Sequence, residues 1–160
     1  MLNNENLANL YQELILDHSR NPMNVGELAC PPALQRVGSN PLCGDKLVVF
    51  LAMNNNKIED IKFKGEGCSI FISACSMLST ALKGKNMTEA KEFITHFIEL
   101  ITLSEDGLAM NQDKLSKLGK LTVFQHVRNY PARVKCAALF VRTVQSLLEN
   151  PDSDVTATSE

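Results

Sequence analysis

The chain has 160 residues, a formal net charge of −2 and a hydrophobic fraction of 44%. This length suffices for one ordinary domain whose core needs no disulfide bonds. A nearly neutral chain offers no basic field for a polyanion, so nucleic acid is not expected as a partner. No stretch approaches the roughly 20 apolar residues of a membrane span, and the N-terminus lacks the apolar core of a secretory signal. We therefore expect a cytoplasmic protein that does not bind membranes.

The first half of the chain predicts one helix and three strands. Apolar residues recur at helical spacing from residue 5 to about residue 20, which indicates an amphipathic helix. A short strand is expected over residues 34–37. The stretch "KLVVFLAMNNNKIEDIKFKGEG" predicts an antiparallel hairpin whose two strands are joined by a turn at residues 54–56.

The second half of the chain predicts helices. A helical stripe follows "GEG" and ends at Gly84, which places Cys68 at a helix N-terminus. Further helices are expected over 88–103 and 132–148, with one or two short helices within 115–127.

This order of elements predicts an α+β fold in which several helices pack on one face of a small three-stranded antiparallel sheet. The sequence contains no internal repeat and no second domain boundary, so residues 1–150 are expected to form a single domain. Residues 151–160 have no large apolar side chain apart from Val155 and are predicted to be a disordered tail.

The chain has five cysteines, and their number and spacing argue against a secreted disulfide framework. They are Cys30, Cys43, Cys68, Cys75 and Cys136. Because the count is odd and the residues are scattered, we expect free thiols, core residues or metal ligands in a reducing compartment. Cys30 is interpreted as an incidental loop thiol. Cys75 lies two helical turns after Cys68 and is interpreted as a core residue.

The other three cysteines each lie beside a break in the chain. Cys43 follows "NP" in a turn, Cys68 begins a helix, and Cys136 lies near the start of the last helix. A thiol at a helix N-terminus feels the positive end of the helix dipole, which lowers its pKa toward the reactive thiolate. Arg133 and Lys135 add positive charge near Cys136.

Asp45 could complete a metal site with these three thiols. Zinc accepts carboxylate oxygen as well as thiolate in a tetrahedral shell. Cys43 and Asp45 could both reach one ion because Gly44 between them permits a sharp turn. The spacing also fits three buried small side chains and an aspartate that caps its own turn. The short Cys-x-x-Cys spacing of many zinc sites is absent, so both interpretations stay open on the residues alone.

Three stretches in order resemble a known family. "NPLCGD", "KGEGCSI" with "ACSML", and "YPARVKCAAL" closely resemble the signature stretches of the IscU-like iron-sulfur cluster assembly proteins. The resemblance extends from the first helix to about residue 148 and implies the SufE/IscU-like form of the α+β fold.

The resemblance also separates two branches of that family. The IscU branch builds clusters as a scaffold and has a histidine directly before the third cysteine, where this chain has Lys135. The longer segment between the second and third cysteines, about 87–130, resembles the SufU branch. That branch binds zinc through three cysteines and an aspartate. The implied ligands are Cys43, Asp45, Cys68 and Cys136.

The SufU-type resemblance implies a zinc-dependent sulfurtransferase. Such a protein accepts persulfide sulfur from a SufS-type cysteine desulfurase and passes it to downstream iron-sulfur assembly proteins. Cys43 is then the expected catalytic sulfur carrier. Arg133 and Lys135 would contact the persulfide or the partner, unless they are ordinary solvated charges at a helix start.

Three other functions compete with sulfur transfer. The first is a scaffold that assembles a [2Fe-2S] cluster on the same cysteines, with the cluster in place of zinc. The second is a purely structural zinc domain that serves as a binding module. A zinc deaminase is disfavoured, because the required His-x-Glu and Pro-Cys-x-x-Cys sequences do not occur.

Overall fold

A computed structural model of the chain describes residues 4–103 and 110–159, with side chains from residue 9 onward. Residues 1–3 and 104–109 of the predicted domain, and residue 160 of the predicted tail, lie outside this part. The elements are α1 Asn4–Arg20, β1 Leu34–Asn40, β2 Asp45–Asn54, β3 Lys57–Glu66, α2 Ser69–Leu82, α3 Met87–Thr102, α4 Gln112–Leu118, a 3-10 segment Gly119–Asn129, α5 Pro131–Glu149 and β4 Ala157–Thr158. None of the described helices is long and apolar enough to cross a membrane.

The sheet is mixed and has four strands in the order β3-β2-β1-β4. β2 pairs antiparallel with β1 and β3, whereas β4 pairs parallel with β1. The α+β class agrees with the sequence prediction, but the prediction of three antiparallel strands is wrong. The fourth strand comes from the segment that was expected to be a disordered tail. Ala157 of this edge strand pairs with Gly38 and is only 6% exposed, so the end of the chain is packed against the domain.

The predicted β2–β3 hairpin is present and turns at two asparagines. Asn55 and Asn56 have φ angles of 51° and 64°, a left-handed conformation that asparagine tolerates better than most residues. A shift in pairing register at Ala52/Met53 lets both Ile58 and Ile61 face the core, although they are three residues apart.

The helices bury the apolar face of β2, whose side chains alternate between the core and the opposite face of the sheet. Leu47, Val49 and Leu51 of β2 are buried. α5 packs against β1 and β2, α2 packs against β3, and α1 covers α2. Phe63 of β3 and Phe140 of α5 meet edge to face with ring centroids 6.1 Å apart. This packing directs the first turns of α2 and α5 toward the β1–β2 connection.

A buried arginine ties β1 to the C-terminal segment. Arg36 is 3% exposed. Its guanidinium donates to the carbonyl and hydroxyl oxygens of Ser146 and to the carbonyl oxygens of Asn150 and Ser153. The first two carbonyls lie at the C-terminal end of α5, where the helix dipole favours a cation. One side chain therefore caps α5 and holds the chain that leads into β4.

The Arg36→Lys variant should be less stable and should release the C-terminal segment. An ammonium group keeps the charge but cannot span these separate acceptors, so some buried carbonyls lose their donors. We expect a decrease of about 3 kcal/mol in the free energy of unfolding, measured by chemical denaturation. An aspartate-specific protease should also cut faster at Asp152 and Asp154. Arg20→Lys, at an exposed arginine, should change neither measurement.

Candidate metal centre

The connection between β1 and β2 folds Cys43 back toward Asp45. The last pair of the two strands is Asn40 with Asp45, and four residues connect them. The Asn40 carbonyl oxygen accepts hydrogen bonds from the N–H groups of Cys43 at 3.3 Å and Gly44 at 2.9 Å. Gly44 has φ of 72°, a left-handed conformation that glycine adopts without strain. The glycine thus provides the sharp turn that the sequence predicted.

Three of the four predicted ligands converge. One carboxylate oxygen of Asp45 and the sulfur atoms of Cys43 and Cys136 all lie within 4.8 Å of one another. Two sulfur ligands on a tetrahedral zinc ion are about 3.8 Å apart, so small side-chain adjustments suit these donors to one ion. Asp45 and Cys136 are 1% and 2% exposed, whereas Cys43 is exposed. The donor set and its spacing therefore fit zinc.

Cys68 reaches the same cluster from the start of α2. It is the N-cap residue of that helix and is half-buried. Its backbone N–H donates to Asp45 Oδ1 at 3.4 Å, and its thiol forms a hydrogen bond with the thiol of Cys136. Cys68 therefore lies beside Asp45 and Cys136, but its sulfur is not among the three donor atoms that lie within 4.8 Å of one another.

The hydrogen bond between Cys68 and Cys136 gives the two thiols different pKa values. A hydrogen bond donated by the Cys136 thiol lowers the pKa of Cys68 to about 6, and hydrogen bonds from the backbone N–H groups of Phe71 and Ile70 act in the same direction. The pKa of Cys136 is raised, first because Cys136 is the donor in this pair and then because it is buried. This contact therefore makes Cys68 the more acidic thiol of the pair.

Gly67 allows α2 to begin this close to Asp45. A Cβ atom at Gly67 would lie 2.3 Å from Asp45 Oδ1 and 2.6 Å from Phe71 Cδ2. Asp45 and Phe71 are both buried, so neither can move aside easily. Phe71, a bulky residue shortly after the second cysteine, packs into the core. Its ring leaves no room for a side chain at position 67 and so helps to explain the glycine there.

Asn40 is a site residue that the sequence interpretation missed. Its side chain is 1% exposed, and its Nδ2 atom donates to Asp45 Oδ2 at 3.2 Å and to Cys136 Sγ at 3.9 Å. The available signal was its position directly before the "PLCGD" turn. The role of Asn40 could not be recognised from the sequence, because β1 was expected to end at residue 37 and in fact extends to Asn40.

The predicted contact residues Arg133 and Lys135 lie in the first turns of α5, outside the three-donor cluster. Arg133 is exposed and Lys135 is half-buried. Arg133 lines a groove of about 610 Å³ between α1, the start of α2 and the 3-10 segment, together with residues that include Tyr11, Ile70 and Tyr130. Ile70 lies in the first turn of α2, but none of the four proposed ligands lines the groove.

The two remaining cysteines lie outside the cluster. Cys75 is fully buried in the core, as predicted, and burial raises its pKa well above the usual value for a thiol. Cys30 is exposed in the loop before β1.

The sequence resembles characterised proteins over most of its length. Residues 10–137 match the family profile of the NifU-like N terminal domain. The zinc-dependent sulfurtransferase SufU of Bacillus subtilis is 36% identical over 136 residues, which cover 85% of this chain and 87% of that protein. The iron-sulfur cluster assembly scaffold protein IscU of Streptococcus pyogenes is 33% identical over 133 residues, covering 83% of this chain and 79% of that protein.

Solved structures share the same fold. A crystal structure described as a candidate iron-sulfur cluster assembly scaffold protein for the SUF system, from Fervidobacterium islandicum, superposes with a TM-score of 0.74. It is 29% identical, and the match covers 85% of this chain and 94% of that one. The N-terminal part of a NifU-like protein from Brucella abortus also has a TM-score of 0.74, at 21% identity.

Proposed function

The chain belongs to the NifU-like N-terminal family of iron-sulfur cluster assembly proteins, and we propose that it is a zinc-dependent sulfur acceptor. In this role it takes persulfide sulfur from a SufS-type cysteine desulfurase and passes it to downstream iron-sulfur assembly proteins. The observation that carries the proposal is the convergence of Cys43, Asp45 and Cys136. Cys68 lies beside them and is hydrogen-bonded to Asp45 through its backbone N–H and to Cys136 through its thiol.

Cys43, Asp45, Cys68 and Cys136 would hold the zinc ion. Bound zinc would keep the thiols deprotonated and reduce their reactivity until a partner engages the site. Two glycines make this ligand arrangement possible. Gly44 allows the β1–β2 loop to bend, and Gly67 leaves room for the Asp45 carboxylate.

Cys43 is the proposed sulfur carrier because it is the exposed member of the four. Its thiolate would attack the terminal sulfur of the donor's cysteine persulfide. A new sulfur–sulfur bond forms on Cys43 Sγ as the donor's own sulfur–sulfur bond breaks. The electron pair of that bond leaves on the donor cysteine, which departs as a thiolate. Sulfur thus moves between two cysteines without external oxidant or reductant.

Arg133 and Lys135 are proposed to assist this transfer through their charge. Both are in the first two turns of α5, which also carries Cys136. A cation there would favour an approaching anionic persulfide and the departing donor thiolate. The apolar groove beside Arg133 would receive part of the partner's surface.

A scaffold that assembles a [2Fe-2S] cluster is the second candidate. The similarity to the Streptococcus pyogenes scaffold protein favours it, and cysteine thiolates are the usual ligands of such clusters. Lys135 favours sulfur transfer instead, because the scaffold branch has histidine at this position.

Metal analysis with a sulfur-transfer assay tests the proposal. The purified chain should contain about one zinc ion per monomer, as expected for one tetrahedral site. It should also accelerate cysteine turnover by a SufS-type desulfurase and become persulfidated. Removal of the metal by a chelator should abolish this acceleration, and added zinc should restore it. Stoichiometric iron and sulfide without zinc would instead favour the scaffold.

A further inference from the structure

Asn40 occupies a central position in the metal centre without offering a typical zinc ligand. It ends β1 and pairs with Asp45 across the β1–β2 connection. Its backbone carbonyl accepts the N–H groups of Cys43 and Gly44, while its side-chain amide donates to Asp45 and Cys136. One residue therefore contacts three of the four proposed ligands.

The hydrogen bonds around Asp45 fix both of its carboxylate oxygens. Asn40 Nδ2 donates to Oδ2, and the backbone N–H of Cys68 donates to Oδ1. The carboxylate is buried, so these two hydrogen bonds help to orient it. The second depends on helix α2, whereas the first depends on a single side chain.

Cys136 is restrained by the same amide, but Cys43 is not. The Cys136 sulfur is buried and accepts the long hydrogen bond from Asn40 Nδ2. Asn40 reaches Cys43 only through its backbone carbonyl, so the exposed Cys43 side chain can rotate while its backbone stays in place.

We propose that Asn40 is a positioning residue that holds Asp45 and Cys136 together, leaving Cys43 free to move and accept sulfur. The second part rests on the proposed function, because it concerns where the sulfur is loaded. An amide suits this task because its –NH₂ group has two N–H bonds and can serve two acceptors at once. Hydrogen-bond partners of metal ligands typically alter metal affinity 10- to 100-fold.

The first experiment measures positioning without any sulfur donor. Zinc affinity of full-length Asn40→Leu, determined by competition with a chromophoric chelator, should fall about 10- to 100-fold. The visible spectrum of the cobalt(II)-substituted protein should also change, because the ligands take up a different geometry. Wild-type affinity and an unchanged spectrum in the folded variant would overturn the proposal.

Two further variants separate positioning from general destabilisation. Asn86→Leu removes the side chain that caps α3, away from the site, and should lower the melting temperature with zinc affinity unchanged. Asn40→Ser keeps one donor and should lose less affinity than Asn40→Leu. If Asn40→Leu does not fold, wild-type affinity in Asn40→Ser would count against the proposal.

The second experiment locates the sulfur. After incubation with a SufS-type desulfurase and cysteine, peptide mass spectrometry should find persulfide mainly on Cys43 of the wild type. In Asn40→Leu, a larger share should appear on Cys136 or Cys68. An unchanged distribution would refute the directing role of Asn40. A wild type that takes up no sulfur would refute the proposed function, leaving the zinc measurement as the separate test of positioning.

Discussion

The Cys43→Ala variant is expected to lose sulfur acceptance while keeping the wild-type fold. Its side chain is exposed, so truncation leaves no cavity, and the hydrogen bond from its backbone N–H to Asn40 is unaffected. We expect persulfide formation to fall to background in a desulfurase assay read by mass spectrometry. The far-ultraviolet circular dichroism spectrum of the metal-free variant should match that of the wild type.

Cys30→Ala provides the matched control for this variant. Cys30 is also an exposed free thiol, but it lies in the loop before β1. This control removes one exposed cysteine without changing the candidate metal centre, so it should accept sulfur like the wild type. Normal acceptance by Cys43→Ala would show that another cysteine carries the sulfur and would contradict the mechanism.

The helices and the β2–β3 hairpin could be predicted because their signals are local. Helical spacing of apolar residues and consecutive asparagines in a turn act over a few residues. The fourth strand could not be predicted in this way. Ala157 has a weak signal of its own, and it forms a strand by pairing with Gly38, which is distant in the sequence.

The candidate metal centre was predicted chiefly from the resemblance to a family. Cys43 and Asp45 form a local pair, but no spacing rule relates them to Cys68 or Cys136, which the packing of α2 and α5 brings to the same place. Asn40 and Arg36 were missed for a related reason. Each lies on a strand, and its partners are identified only by strand register and helix packing.

Gly67→Ala should strongly weaken metal binding. The new Cβ would lie 2.3 Å from Asp45 Oδ1, in a region where Asp45 and Phe71 are both buried. Relief of this overlap requires Asp45 or the start of α2 to move, and either shift displaces a proposed ligand. We expect zinc affinity to fall at least 100-fold and the free energy of unfolding to decrease by about 1–3 kcal/mol.

Gly84→Ala separates this steric effect from ordinary glycine strain. Gly84 has φ of 90° and no atom within 4 Å of a Cβ placed there. Alanine at this position should cost about 1–2 kcal/mol of stability through backbone strain, with zinc affinity unchanged. The comparison requires zinc titration and denaturant unfolding of both metal-free variants. If Gly67→Ala bound zinc as tightly as Gly84→Ala, the position of Asp45 would not depend on the close approach of α2, and Asp45 would not be a fixed ligand.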